Sequence, residues 1–91
     1  MAGLTGFSDS VVASLCREMF GLRIRSQLVI VELRRCKQER LVKRLRRELH
    51  QLVQRQQEIR QAANELTTVQ VVDPMGIEFL KELTRRPLSN R

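Results

Sequence analysis

The sequence predicts an all-α protein, and three observations carry that prediction. Between Leu22 and Thr68 there is neither proline nor glycine. The same run is rich in Leu, Arg, Gln and Glu, all good helix formers. Its apolar side chains recur at seven-residue spacing: Ile24, Val31, Leu45, Leu52, Ile59 and Leu66 in one set, Leu28, Val42, Leu49 and Ala63 in the other. Four Gly and two Pro in 91 residues are too few for a turn-rich β fold. The expected architecture is a helical hairpin in a single domain, 1–91, with 1–7 and 87–91 as loose ends. It has one long helix (about 22–68), a short C-terminal helix (about 74–84), and dimerises as a four-helix bundle or coiled coil.

Each element has a local reason. Ser8, Asp9 and Ser10 are N-cap residues ahead of Val11, Val12, Leu15, Met19 and Phe20, whose spacing predicts a first helix over 9–21. Gly21 is expected to end or bend it, because glycine is poor inside a helix and common just beyond one. The long helix would run on the order of 70 Å at about 1.5 Å per residue. A lone helix of that length cannot bury its own stripe. Leu28, Val31, Val42, Leu45, Leu49, Leu52, Ile59 and Leu66 are therefore the expected dimer interface. Leu41 and Val53 widen the stripe and favour a bundle over a two-stranded zipper. Residues 28–33 are apolar nearly all round and β-prone by composition; a helix buried on two sides is the preferred reading. Polar Arg35, Gln38 and Gln56 fall within the seam, where such residues cost stability and fix register or partner orientation; Arg35 and Gln38 could instead mark where the helices splay. Val69–Val72 is a β-prone connector. Asp73 as N-cap and Pro74 as first helical residue start the last helix, with Ile77, Phe79, Leu80 and Leu83 as its apolar face. Arg85, Arg86 and Pro87 end it.

The charge is concentrated. The chain carries 17 basic and 10 acidic side chains, a formal +7. Residues 23–47 hold ten basic side chains against only Glu32 and Glu39, a net +8 in 25 positions, while the remainder sums to −1. Fourteen of the 17 basic residues are Arg, which forms bidentate contacts with phosphate where Lys is a point charge; nucleotide composition or an overlapping reading frame gives the same excess. In helical projection Lys37, Arg40, Arg44 and Arg47 form one stripe opposite the apolar seam. Lys43 and Arg46 flank it, and Arg34 stands near its start. Glu39 is the only acid between 33 and 47, so the stripe has few of the i,i+4 acidic partners that a solvated helix face usually carries.

Other functions find no residues to carry them. His50 is the single histidine, and no nucleophile, base and orienting group share a spacing, so no enzymatic activity and no cofactor are expected. Cys16 and Cys36 stand too far apart for a zinc site and are read as reduced thiols. No stretch approaches the roughly 18 apolar residues of a membrane span. The opening MAGLTGFSDS lacks the basic and apolar segments of a signal peptide. The expectation is a cytoplasmic protein with neither membrane nor small-molecule partners, the basic segment leaving the nucleus open.

Three functional readings follow. The first is a dimer that binds double-stranded RNA, in preference to DNA, through Arg34, Lys37, Arg40, Lys43, Arg44, Arg46 and Arg47. Shape recognition of a duplex needs no aromatic platform, and the chain has no Trp or Tyr. The second is a basic-leucine-zipper-like DNA binder, because the basic run precedes Leu45, Leu52, Ile59 and Leu66. Against it, residues 23–47 contain no Asn to read bases, and Val42 and Leu45 continue the apolar stripe through the basic arm. The third is a coiled-coil scaffold with an acidic protein partner.

The order of elements resembles the small RNA-silencing suppressors of nodaviruses. The matching features are a first helix, a long second helix bearing Lys37, Arg40, Arg44 and Arg47, and the stretch Val71-Val-Asp-Pro-Met-Gly-Ile-Glu-Phe-Leu80, similar to the lead-in to that family's third helix. The resemblance covers most of the chain in layout and little of it in identity. It implies a helical hairpin with a short third helix, an antiparallel dimer, and a basic helical face on duplex RNA that shields it from processing enzymes.

Overall fold

The helix that starts near the N-terminus does not stop at Gly21. In a computed structural model, which describes the backbone of residues 2–67 and 74–88 and the side chains of 11–67 and 74–88, α1 runs unbroken over Ala2–Arg35. Two helices follow it, α2 at Glu39–Leu66 and α3 at Pro74–Arg85. The fold is all-α, and no strand occurs among the described residues. The hairpin is present, but its turn lies at Cys36, Lys37 and Gln38, inside the run expected to be one helix over 22–68. Residues 2–7, expected to be loose, continue α1. Pro74 opens α3 as expected; the Val69–Val72 connector and the Asp73 cap lie outside the described residues.

Burial explains the position of the turn. α1 carries a heptad stripe that crosses Gly21 in phase: Val12, Leu15, Met19, Leu22, Ser26, Val29 and Leu33, all buried or half-buried. α2 carries another, formed by Val42, Leu45, Leu49, Leu52, Gln56, Ile59, Ala63 and Leu66. One continuous helix would leave both stripes in water, whereas folding back at 36–38 lays one on the other. Gly21 is tolerated because it sits on the outer face, where an added Cβ would meet nothing within 4 Å. The turn is short and uses no left-handed residue. The Cys36 amide still donates to the Glu32 carbonyl at 2.8 Å. Gln38 is extended (φ −78°, ψ 119°), and its carbonyl accepts the Val42 amide at 2.9 Å, starting α2.

Two ion pairs fix the hairpin register. Arg55 of α2 grips Glu18 of α1, and Arg25 of α1 grips Glu48 of α2. The seven-residue step forward from Glu18 to Arg25 matches the seven-residue step back from Arg55 to Glu48.

α3 packs across the open end of the hairpin. Met19, Ile59, Ala63, Leu80, Leu83 and Leu88 form the core there, with Leu15, Cys16, Leu22, Leu52 and Val53 packed around it. Leu88, expected in the loose tail, is thus a core residue. The C-terminal end of α3 is closed by side chains of the other two helices. The Arg23 guanidinium donates to the carbonyls of Leu83, Arg86 and Pro87 (3.1–3.3 Å). The Gln56 amide donates to Thr84 (3.2 Å) and Arg86 (2.6 Å), and the Ser26 hydroxyl reaches Leu88 (3.4 Å). These donors satisfy carbonyls that a helix end leaves unpaired. Gln56 is therefore a side-chain cap for a neighbouring helix, while Arg35 and Gln38 flank the turn.

The whole measures 55 × 21 × 15 Å: a three-helix base, and a two-helix tip extending beyond α3.

Candidate nucleic-acid interface

The turn at 36–38 gathers the basic segment at the tip. Arg34 and Arg35 end α1, Lys37 lies in the turn, and Arg40, Lys43, Arg44, Arg46 and Arg47 occupy the first turns of α2; all eight are exposed. Among the described residues, none of the eight takes part in an ion pair. The nearby carboxylate Glu48 is held by Arg25, whose hydrogen bond keeps it below the usual carboxylate range against the opposing effect of burial; the charges of Arg25 and of Arg44 assist. Only Glu32 and Glu39 remain within 32–47.

Arg40, Lys43, Arg44 and Arg47 line one groove of about 440 Å³, together with Gln38 and Leu41. The core side of α2 is set by buried Leu45 and half-buried Val42 and Leu49, which turns Arg40, Arg44 and Arg47 outward. Helical rise puts Arg40 and Arg47 about 10 Å apart along the axis. The groove can hold a row of phosphates against a rigid rod of guanidinium groups, with Gln38 as a neutral hydrogen-bonding neighbour.

The other expected site residues are placed apart from this groove. Arg34 lines a second cavity of about 580 Å³, between α1 and the segment after α3, with Arg23, Gln27 and Arg86. Arg46 lies on the far flank of α2, two positions round from Arg44. Lys37 sits on the turn and does not continue the α2 stripe. The predicted stripe of four thus keeps Arg40, Arg44 and Arg47, gains Lys43, and loses Lys37. Arg35, which sequence reasoning assigned only to the seam, stands exposed at the tip.

The expected dimer seam divides. Leu45 and Ile59 are buried within the chain, and Val42, Leu49, Leu52 and Leu66 are half-buried there. Along α2 the seam is therefore used inside one copy, because the hairpin supplies the partner that a single long helix lacks. Leu28 and Val31, on α1, remain exposed.

His50 is exposed on α2. Among the described residues no three His, Cys, Asp or Glu side chains are placed to hold a metal ion, and no helix is long and apolar enough to cross a membrane. No disulfide joins Cys16 and Cys36.

No protein-family model, curated protein or solved structure matches this chain.

Proposed function

We propose that the chain binds double-stranded RNA through the basic tip, independently of sequence, and shields the duplex from processing enzymes. The observation that carries this reading is the set of eight exposed cations between 34 and 47, none of them in an ion pair among the described residues, four of them lining one groove. Neutralising phosphates releases counterions and gives salt-sensitive affinity without base contacts. An A-form duplex offers phosphates and 2′-hydroxyls across a wide, shallow minor groove, where a rod of arginines needs no aromatic residue to dock. The resemblance to nodavirus RNA-silencing suppressors points the same way, toward suppression of silencing by a viral protein acting in the cytoplasm. A leucine-zipper reading is less well supported. The turn at 36–38 interrupts the basic arm, and Leu45 and Ile59 are occupied in the core.

Gel shifts with duplex RNA, duplex DNA and single strands at two salt concentrations test this reading. Duplex RNA is expected to bind best, and more weakly at high salt. Replacing Arg40, Arg44 and Arg47 together by Gln is expected to weaken binding and to lower the salt slope by about two to three. Preference for duplex DNA would restore the DNA reading. Equal failure of all three ligands at low salt would sink every nucleic-acid reading and leave a scaffold with an acidic partner.

A further inference from the structure

A small cavity of about 110 Å³ lies between α2 and α3, at the base of the molecule. Its position follows from the core beside it. Ile59 and Ala63 of α2, four residues apart, are buried, and so are Leu80 and Thr84 of α3, again four apart. The residue after each stands one step round its helix, at the rim of that core: Arg60, Asn64, Lys81 and Arg85. These four line the cavity together with Thr84, and no carboxylate is among the lining side chains. Arg60 is exposed and takes part in no ion pair among the described residues. Lys81 and Arg85 face Glu78 and Glu82 at 3.9 and 3.3 Å, but these are i,i+3 pairs with exposed acids along α3, of a kind that contributes little. The Thr84 hydroxyl donates to the Lys81 carbonyl at 2.9 Å, which leaves the Asn64 amide as the neutral donor. The apolar face of α1 is elsewhere. Phe79, whose ring lies 6.2 Å from that of Phe20, is on the other side of α3 from Lys81 and Arg85. That face continues through exposed Ile24, Leu28 and Val31, so the 28–33 run, expected to be buried on two sides, is covered on one.

We infer that this cavity binds a single phosphate group, as inorganic phosphate or as the monoester of a small molecule, and that the bound group clamps α3 onto α2. Size sets one limit. Sites for drug-sized ligands run from about 300 Å³ upward, so a cavity of about 110 Å³ takes one small group. Charge sets the other. Three cations exceed what one carboxylate neutralises and suit a dianion. The Arg60 and Arg85 guanidinium groups come from different helices, and each can give two parallel hydrogen bonds to oxygens of one tetrahedral group. Lys81 adds a point charge, and the Asn64 amide adds a further donor. Because the donors belong to both helices, the complete site exists only while α3 is docked. Mass action then turns occupancy into stability of the docked state. The site stands about 24 Å along α2 from Arg44, sixteen residues of helical rise, so it is separate from the tip groove. The inference does not depend on the RNA reading.

Thermal melting of the full chain at fixed ionic strength, with potassium chloride as the balancing salt, tests it. Inorganic phosphate and glycerol phosphate are each expected to raise the melting temperature saturably, half-maximally at about millimolar concentration. The rise should persist in the chain carrying Arg40→Gln, Arg44→Gln and Arg47→Gln, which removes the tip groove as a source. Arg60→Gln and Arg85→Gln should each weaken the response by about tenfold in concentration; both side chains are exposed, so the fold is retained. The Asn64 side-chain amide should shift in NMR spectra on binding, and hydrogen exchange in α3 should slow. Lowering the pH from about 7.5 to about 5.5 protonates the monoester, whose second pKa is about 6, and should weaken it, while sulfate remains a dianion and should not change. A melting temperature that phosphate raises no more than chloride overturns the inference. So does a response that survives Arg60→Gln combined with Arg85→Gln, one that is lost in the tip variant, or a monoester affinity indifferent to pH.

Discussion

The base and the tip of the hairpin carry the same kind of side chain to opposite ends. At the base most cations are tied down. Arg55 is shared by Glu18 and Glu58, Arg23 closes the end of α3, Lys81 faces Glu78, and Arg85 and Arg86 face Glu82. At the tip eight cations stand together with no ion pair among the described residues. The base is a joint, where arginines hold three helices in register. The tip is a field, where like charges repel and an external anion would relieve them. The two regions also differ in depth of packing: three helices enclose Ile59, Ala63 and Leu80, all 1% exposed or less, while at the tip α2 has only α1 to lean on.

The largest effect that separates them is a core truncation at the base. Leu80→Ala removes a fully buried side chain facing both helices of the hairpin and should cost about 2–5 kcal/mol, read by urea denaturation. Next comes Gln56→Ala, which strips the buried hydrogen bond from the Thr84 carbonyl and leaves the Arg86 carbonyl to Arg23 alone; about 1–3 kcal/mol is expected. Hydrogen exchange should then show α3 losing protection before the hairpin does. An α3 that remains protected in this variant would mean that apolar packing alone holds it.

How much of this was legible in the sequence differs between the same two regions. The helical composition, the start of α3 at Pro74 and the exposure of the tip cations all follow from local residue patterns. The turn does not. Cys36, Lys37 and Gln38 include neither Gly nor Pro and adopt no left-handed backbone, so nothing local announces it. The apolar period also passes through it in phase. Two signals were present: Arg35 and Gln38 are adjacent polar seam positions, and a second heptad from Val12 to Leu33 crosses Gly21 unbroken. The second heptad shows that α1 already has a face for α2, a non-local fact that periodicity in one window misses. The sequence shows Gln56 only as a polar seam position, because its partners, Thr84 and Arg86, lie 28 and 30 residues away.

Acid probes the joints more gently. The hydrogen bond from Arg55 holds the Glu18 carboxyl below its usual value, with partial burial opposing and the Arg55 charge assisting; Arg25 does the same for Glu48. A carboxyl depressed in the folded state contributes stability that is complete above its unfolded value near 4.5 and is lost as pH falls through the folded one. The melting temperature should therefore hold from neutrality to about pH 5 and fall below it. Glu18→Gln should flatten part of that fall. The pair is well exposed, so Arg55→Gln at pH 7 should cost no more than about 1 kcal/mol.

The smallest effect is the most telling for the contrast. Arg40→Gln, Arg44→Gln and Arg47→Gln together remove three cations that touch no carboxylate, so stability should change by no more than about 0.5 kcal/mol, and upward. The sign follows from the net charge: the three stand among eight cations at 34–47, the carboxylate that acts on them, Glu48 on Arg44, is already held by Arg25, and Gln keeps helix propensity while removing the like-charge repulsion. Salt supplies the internal control, because exposed charges are screened within about 10 Å at 0.1 M. Melting of the unmodified chain should rise as salt is raised from low millimolar concentration, and the triple variant should lose much of that rise. If instead the variant melts lower than the parent, the three arginines hold the tip together, and the division between joint and field fails at the point where it matters for ligand binding.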